Sequence, residues 1–198
     1  HSQSLHPLVT AIPGLKVAMP STPADAKGLL STAIRDDDPV IFFEHKTLYT
    51  ISGDVPDGEY LVPFGKARMV SEGDDCTLVA TGRMISFCEN AAQALAYDGI
   101  TCDIIDPRTT SPLDEDAILD SVEKTGRLVV VDETPPRCSF ASDIAALAAG
   151  EVFSSLKAPI KQITGPHSPV PFAKELESEF VPSPTKIRDA VAEVVNFK

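Results

Sequence analysis

The alternation of short β-branched segments with amphipathic segments is the feature that most constrains the fold of this chain. Runs of four or five residues rich in Val, Ile and Leu are separated by stretches in which apolar residues recur every three or four positions. This pattern predicts an α/β protein with a mostly parallel sheet, built from right-handed strand–helix–strand steps. The predicted strands are 15–19, 40–44, 76–80, 102–105, 128–131 and 159–163.

Local signals place the helix ends and one linker. Thr22 precedes a proline and is followed three residues later by Asp25, which predicts an N-cap and a helix that ends near Arg35. Ser183 and Pro184 mark the start of a C-terminal helix in the same way. Residues 50–63 are rich in Gly, Asp and Pro and predict a linker. Residues 1–63 are therefore interpreted as the C-terminal part of a larger domain, and residues 64–198 as a complete second domain.

Charge and hydropathy exclude several classes of partner. The 198 residues carry a formal net charge of −12, and no cluster of five Lys and Arg residues occurs. Nucleic acids and anionic membranes are therefore not expected as partners. No apolar run approaches the ~20 residues that span a bilayer, and no signal peptide opens the sequence. We expect a cytoplasmic protein and, because the sequence opens at His1 without a lead-in strand, an internal start.

The four cysteines lack the spacing of a metal site. Cys76, Cys88 and Cys102 fall in apolar segments and are predicted to be core residues in a reducing compartment. Cys138, in a proline-rich turn, is the one with a possible reactive role. The sequence also lacks the phosphate-binding glycine motifs, the G-x-S-x-G nucleophile motif and the H-E-x-x-H zinc motif.

The four histidines differ in their sequence surroundings. His6 is expected at the surface, and His45 is expected to be a hydrogen-bonded polar group at the end of a strand. His1 and His167 lie in polar or proline-rich segments, which makes them the more interesting candidates, because loops at strand ends carry the chemistry of α/β proteins.

Segments in register along the whole chain carry a resemblance to a known family. They are HSQS (1–4), IPGLKV (12–17), PSTP (20–23), DAKGLL (25–30), PVIFFEHK (39–46), LY (48–49), DPRTTSPLD (106–114), SVEKTGR (121–127), VVVDE (129–133) and API (158–160). As a set they resemble the beta subunits of the thiamine-diphosphate-dependent dehydrogenase components of 2-oxo acid dehydrogenase complexes. Two further segments, PRCS (136–139) and PHSPVPF (166–172), resemble the acetoin dehydrogenase branch most.

The resemblance implies a fold and a set of functional residues. Residues 1–63 would complete a pyrimidine-binding domain, and residues 64–198 would form a transketolase C-terminal-type domain. His1 matches the active-site histidine of the family, although a terminal histidine without a role is the alternative. Ala33, Ile34, Asp36 and Asp38 match the segment where relatives hold a structural potassium ion, although a solvated acidic helix end is an equal alternative.

The same resemblance implies cofactors and partners. Thiamine diphosphate and Mg²⁺ would be held mainly by the alpha subunit and by residues outside this chain, so the chain alone is expected to be inactive. The other implied partners are a second beta subunit and the lipoyl acyltransferase core. The substrate would be acetoin, or alternatively pyruvate or a branched-chain 2-oxo acid. A different reading is a non-catalytic assembly module that docks the acyltransferase core.

Overall fold

A computed structural model describes residues 3–198 of the chain. Its strands are β1 (Lys16–Ala18), β2 (Val40–Phe42), β3 (Arg68–Ser71), β4 (Cys76–Ala80), β5 (Cys102–Asp106), β6 (Thr109–Ser111), β7 (Leu128–Val131) and β8 (Lys161–Ile163). Its α-helices are α1 (His6–Thr10), α2 (Pro23–Arg35), α3 (Met84–Ala96), α4 (Glu115–Thr125), α5 (Phe140–Glu151), α6 (Lys174–Phe180) and α7 (Pro184–Val195). Two short 3-10 helices cover Lys46–Thr50 and Phe153–Ser155.

The larger sheet has five strands in the order β3-β5-β4-β7-β8. The last four of these are mutually parallel, and β3 pairs antiparallel with β5 at one edge. Every residue of β4 and β7 is buried, because helices cover both faces of this sheet. One apolar core lies between the sheet and the helices α3 and α7, and a second lies between the sheet and the helices α4 and α5. The predicted α/β class is confirmed.

The smaller sheet joins the two parts of the chain. Its order is β2-β1-β6, with β1 parallel to β2 and antiparallel to β6. We call residues 3–63 the first unit and residues 64–198 the second unit. Since β6 belongs to the second unit, this strand continues the sheet of the first. The sequence did not predict β6, which is three polar residues long.

The predicted linker is anchored at its end. Residues 51–63 form no helix or strand, but Val62 is buried against α2. The amide of Val62 donates to the carbonyl of Gly28 (3.2 Å), and its carbonyl accepts from the hydroxyl of Thr32 (2.7 Å). A side chain at Gly28 would collide with Val62 and Tyr60. Glycine at this position therefore permits the segment to lie directly on the helix.

The helix ends follow the predicted capping. Thr22 accepts a hydrogen bond from the amide of Asp25 (3.0 Å), and Ser183 accepts one from the amide of Lys186 (3.3 Å).

The burial predicted for three cysteines is also confirmed. Cys76, Cys88 and Cys102 are buried, and burial raises the pKa of each thiol. None of the helices in the described part of the chain is long and apolar enough to cross a membrane.

Candidate functional site

The carboxyl ends of the central strands β4 and β7 form one wall of a cleft. The connection after β4 leads through α3 to β5 on one side, and the connection after β7 leads through α5 to β8 on the other. These neighbouring strands therefore mark a switch point, where the loops diverge and ligands of open α/β sheets bind. Thr81, Gly82 and Arg83 follow β4, and Asp132 and Glu133 follow β7.

The first unit supplies the opposite wall. Met19 and Pro20 follow β1, and Phe43, Glu44 and His45 follow β2. We call the space between these loops the inter-unit cleft, which has a volume of about 390 Å³. Residues near the start of the chain, Gln3 to His6, also line it. The carboxyl ends of two parallel strand pairs thus face each other across one opening.

His45 and Glu133 join the two walls. Nε2 of His45 lies 2.8 Å from Oε2 of Glu133, while Nδ1 accepts the amide hydrogen of Thr47 at 3.2 Å. Because Nδ1 accepts, the ring proton lies on Nε2 and is donated to the carboxylate. Nη1 of Arg83 lies 3.6 Å from the other oxygen of Glu133, and its guanidinium stacks 4.8 Å from the ring centroid of Phe87. His45 is the hydrogen-bonded strand-end group that the sequence predicted.

His6 contradicts the sequence prediction of a surface histidine. It is 1% exposed and lies between Phe43 and Phe140, with ring centroids 6.3 and 6.2 Å away. Its Nε2 is 3.6 Å from Oδ1 of Asp132. Burial lowers the pKa of His6, and the carboxylates of Asp132 and Glu133 oppose that shift. The prediction failed because the burial comes from residues 37 and more positions away, which no local pattern reports.

The charges of the inter-unit cleft do not suit a diphosphate. Four carboxylates line it, from Glu44, Asp132, Glu133 and Glu177, against the two cations of Lys46 and Arg83. Within residues 3–198, no group of three or more His, Cys, Asp or Glu side chains is placed to hold a metal ion. The described residues therefore do not fit the Mg²⁺–diphosphate part of thiamine diphosphate.

A second polar cluster crosses the boundary between the units. Asp106, at the end of β5, is completely buried; it accepts from the hydroxyl of Ser21, from Nη2 of Arg68 (3.2 Å) and from the amide of Arg108 (3.0 Å). Nη1 of Arg108 lies 3.2 Å from the carboxylate of Asp25. Burial raises the pKa of Asp106 to about 6, although Ser21, Arg68 and the amide of Arg108 act to lower it. Two acids and two arginines thus bind the units together.

The predicted potassium segment lies at the C-terminus of α2. The carboxylates of Asp36 and Asp38 contact the ammonium of Lys16 at 2.7 and 3.0 Å, and the carbonyl of Ala33 accepts the amide hydrogen of Asp36 at 3.3 Å. Lys16 lowers the pKa of Asp36. Both carboxylates are thus paired with Lys16, and the carbonyl of Ala33 already accepts a hydrogen bond. The carboxylates therefore do not fit as cation ligands. A potassium ion here would depend on carbonyl oxygens such as that of Ile34.

The remaining candidate residues from the sequence are His1, His167 and Cys138. His1 lies outside the described residues. His167 is exposed in the loop after β8, and Cys138 is an exposed free thiol with a backbone φ of 49°. Neither residue lines the inter-unit cleft. The signal that sequence reasoning overlooked is the acidic pair Asp132-Glu133 directly after a fully apolar strand, at a position where parallel sheets place functional groups.

Comparison with known proteins identifies the family. The family described as transketolase, C-terminal domain, matches residues 65–187, and the family described as transketolase, pyrimidine binding domain, matches residues 1–52. The chain belongs to the transketolase C-terminal domain family. The smaller sheet lies largely within the pyrimidine-binding match, and the larger sheet lies in the C-terminal match.

Two curated relatives and one solved structure extend the transketolase likeness. The chain is 53% identical, over 98% of its length and 57% of the relative's, to the acetoin:2,6-dichlorophenolindophenol oxidoreductase subunit beta of Bacillus subtilis. It is 44% identical, over 100% of its length and 61% of the relative's, to the 2-oxoisovalerate dehydrogenase subunit beta of the same organism. A split-gene transketolase described as an inactive beta4 tetramer superposes with a TM-score of 0.79 at 21% identity, covering 97% of this chain and 61% of that one.

These matches bear on the sequence interpretation. The resemblance to dehydrogenase beta subunits is confirmed, and of these two relatives the acetoin oxidoreductase subunit has the higher identity. The solved structure shows the transketolase fold and no more. The chain spans 57–61% of the length of these two curated relatives.

Proposed function

We propose that this chain is part of the beta subunit of a thiamine-diphosphate-dependent dehydrogenase component that cleaves acetoin and passes the acetyl group to lipoamide. The observation that carries this proposal is the 53% identity to an acetoin oxidoreductase beta subunit against 44% to a 2-oxoisovalerate dehydrogenase beta subunit from the same organism. Pyruvate and branched-chain 2-oxo acids are the alternative substrates. The alpha subunit and a second beta subunit are the proposed partners.

The chemistry divides between this chain and groups outside it. Thiamine diphosphate supplies the electron sink for breaking a bond next to a carbonyl group. In the proposal, the alpha subunit holds the diphosphate with its Mg²⁺, which agrees with the acidic lining of the inter-unit cleft. His1 is proposed to carry protons, because an imidazole titrates near physiological pH.

The substrate test uses the assembled enzyme. The complete beta chain is combined with its alpha subunit, thiamine diphosphate and Mg²⁺, and reduction of 2,6-dichlorophenolindophenol is followed with acetoin, pyruvate or 3-methyl-2-oxobutanoate. We expect the highest kcat/KM with acetoin. A higher kcat/KM with either 2-oxo acid would replace the acetoin assignment, and no turnover with any of them would contradict the dehydrogenase assignment.

The role of His1 is tested in the same assembly. His1→Ala is expected to lower kcat by about 10²–10⁴-fold, the usual contribution of a positioned general acid–base group, and to leave cofactor affinity unchanged. Unchanged turnover with a lipoyl domain as acceptor would remove the proposed role from His1. A parallel loss of cofactor affinity would assign His1 to binding instead.

A second candidate function is favoured by the net charge of −12. Such a chain suits an assembly role in which the C-terminal domain docks a basic segment of the lipoyl acyltransferase core. Binding of the isolated subunit-binding segment is expected to weaken as salt rises from 50 to 500 mM, roughly in line with charge screening. Tight, salt-sensitive docking by an assembly that lacks turnover would favour this role over catalysis.

Potassium is proposed only through carbonyl oxygens at the end of α2. Replacing Na⁺ by K⁺ at constant ionic strength is expected to raise the Tm of the assembled enzyme. An identical Tm in the two salts would contradict the proposal.

A further inference from the structure

One turn of the chain connects the larger sheet to the smaller sheet. β5 ends at Asp106 in the larger sheet, and β6 begins at Thr109 in the smaller sheet. Between them, Arg108 has a backbone φ of 60°, a conformation that a residue other than glycine keeps only where its surroundings hold it. Its guanidinium donates to the carbonyl of Lys66 (2.8 Å), and its own carbonyl accepts the amide hydrogen of Met19 after β1 (2.8 Å). The turn is therefore fixed by contacts to both units.

Two buried carboxylates and two arginines meet beside this turn. Asp106 (0% exposed) belongs to the second unit, and Asp25 (2% exposed) lies in the first turn of α2 in the first unit. Arg68 bridges them, with Nη2 3.2 Å from Asp106 and Nε 3.4 Å from Asp25, and Nη1 of Arg108 lies 3.2 Å from Asp25. The hydroxyl of Ser21, which precedes α2, donates to Asp106. We call these five residues the joint. Since Ser21 and Asp25 belong to the first unit, moving the units apart would bring water to the Asp106 carboxylate.

We propose that the joint is a pH-sensitive connection between the two units, which holds them most firmly while Asp106 is protonated and loosens when Asp106 ionises. A carboxylate that is cut off from water is costly to ionise, and the charge of the neighbouring Asp25 adds repulsion. Ser21, Arg68 and the amide of Arg108 stabilise the ionised form, but burial outweighs them and raises the pKa of Asp106 to about 6. When the units move apart the carboxylate regains water, so ionisation favours the separated arrangement.

Four further charged groups lie near the joint in the described part of the chain. The ammonium of Lys66 lies 3.9 Å from the carboxylate of Asp114, the charge of which it opposes. Asp54 and Glu89 line a cavity of about 500 Å³ beside the two arginines, and both are exposed. Water and salt screen charges in exposed positions. The pH response is therefore assigned to Asp106, and it is measured at constant ionic strength.

Amide hydrogen exchange of the complete chain at several pH values tests the joint. The protection factor compares each observed exchange rate with the intrinsic rate at the same pH, which removes the pH dependence of the exchange chemistry. β1 and β6 report separation of the units, because the pairing between these strands has to break. With a pKa of about 6 in the joined units and 3.8 in the separated ones, their protection factors are expected to fall about 50-fold between pH 4 and pH 7. β4 and β7 should stay better protected at every pH, because the larger sheet does not have to open when the units part.

Three variants assign the effect to Asp106. Asp106→Asn keeps the shape of the side chain but cannot ionise, so its protection factors in β1 and β6 should stay nearly constant between pH 4 and pH 7. Asp103→Asn is the matched control, because Asp103 is a fully buried aspartate of the same strand whose hydrogen-bond partners all lie in the second unit. It should retain the fall of the unmodified chain. Ser21→Ala removes a donor that favours the ionised form, so the fall should move to higher pH, which tests the joint even if Asp106→Asn does not fold.

Several results would overturn the proposal. One is a fall of the same size in Asp106→Asn, and another is protection of β1 and β6 that does not change between pH 4 and pH 7. Equal protection of β1, β6, β4 and β7 is a third, because the two units would then open only together. In Ser21→Ala, a fall centred at the same pH as in the unmodified chain would remove Asp106 as its cause.

Discussion

Asp106 makes the stability of this protein depend on pH in a direction opposite to that of most surface carboxylates. Its side chain is fully buried beside Arg68, and burial raises its pKa from 3.8 to about 6. Between these two pH values the folded chain holds a proton that the unfolded chain has released. Stability from this group is therefore full at low pH and falls as the pH rises through that window.

The magnitude follows from the size of the shift. A difference of about two pKa units corresponds to about 3 kcal/mol, since each unit is worth about 1.36 kcal/mol. Asp106→Asn retains the shape of the side chain and removes the titration. We expect the unfolding free energy of this variant, relative to the unmodified chain, to rise by about 2–3 kcal/mol between pH 4 and pH 7, since pH 4 lies within the window and the full 3 kcal/mol is not reached.

Urea unfolding followed by circular dichroism at several pH values measures this difference. Asp120→Asn, on the exposed surface of α4, is the control for replacing an acidic side chain by its amide. Because the unfolding free energies of two variants are subtracted, the contributions of the titrating groups that the substitution leaves untouched cancel. Parallel stability curves for the unmodified chain and Asp106→Asn between pH 4 and pH 7 would refute the reasoning, and so would a difference that falls as the pH rises.

Three further substitutions test packing in and around the larger sheet. A side chain at Gly73 would collide with the backbone of Thr101 and Cys102, so Gly73→Ala should cost about 1–3 kcal/mol in urea unfolding. Gly150 has open space around it within α5, and Gly150→Ala should raise stability by up to about 1 kcal/mol. Thr77→Val removes the hydroxyl that joins Ser121 (2.7 Å) and Thr125 (2.8 Å) and should cost about 1–3 kcal/mol, where a change below 0.5 kcal/mol would contradict the buried network.

The parts of the fold that could be predicted from the sequence are those with a local cause. The strands Cys76–Ala80 and Leu128–Val131 were predicted with their observed bounds, because apolar runs between turn residues describe strands buried on both faces. The helix starts at Thr22 and Ser183 were predicted because capping depends on residues within three positions.

The elements that could not be predicted depend on contacts far apart in the chain. The strand Thr109–Ser111 is short and polar, and it exists because it pairs with Val17 and Ala18, more than 90 residues earlier. The short helix at His6 was missed for the same reason, since it contacts Thr110 and Phe140, about 100 and more residues later in the chain. The inter-unit cleft could not be predicted either. Its walls come from two separate sheets, which only tertiary packing brings together.

Hydrogen exchange gives a direct test of how stability is distributed between the two sheets. Strands β4 and β7 are buried along their whole length and are paired on both sides, whereas β2 is a partly exposed edge strand of three residues. Opening β4 or β7 exposes two apolar cores, so their amides should exchange only through near-global unfolding. The apolar cluster beside the smaller sheet has three buried members, Ala18, Leu29 and Val62, so Val40–Phe42 should exchange faster. Stronger protection in Val40–Phe42 than in Leu128–Val131, measured by mass spectrometry on a sample shown to be monomeric, would mean that the first unit and not the second forms the stable core.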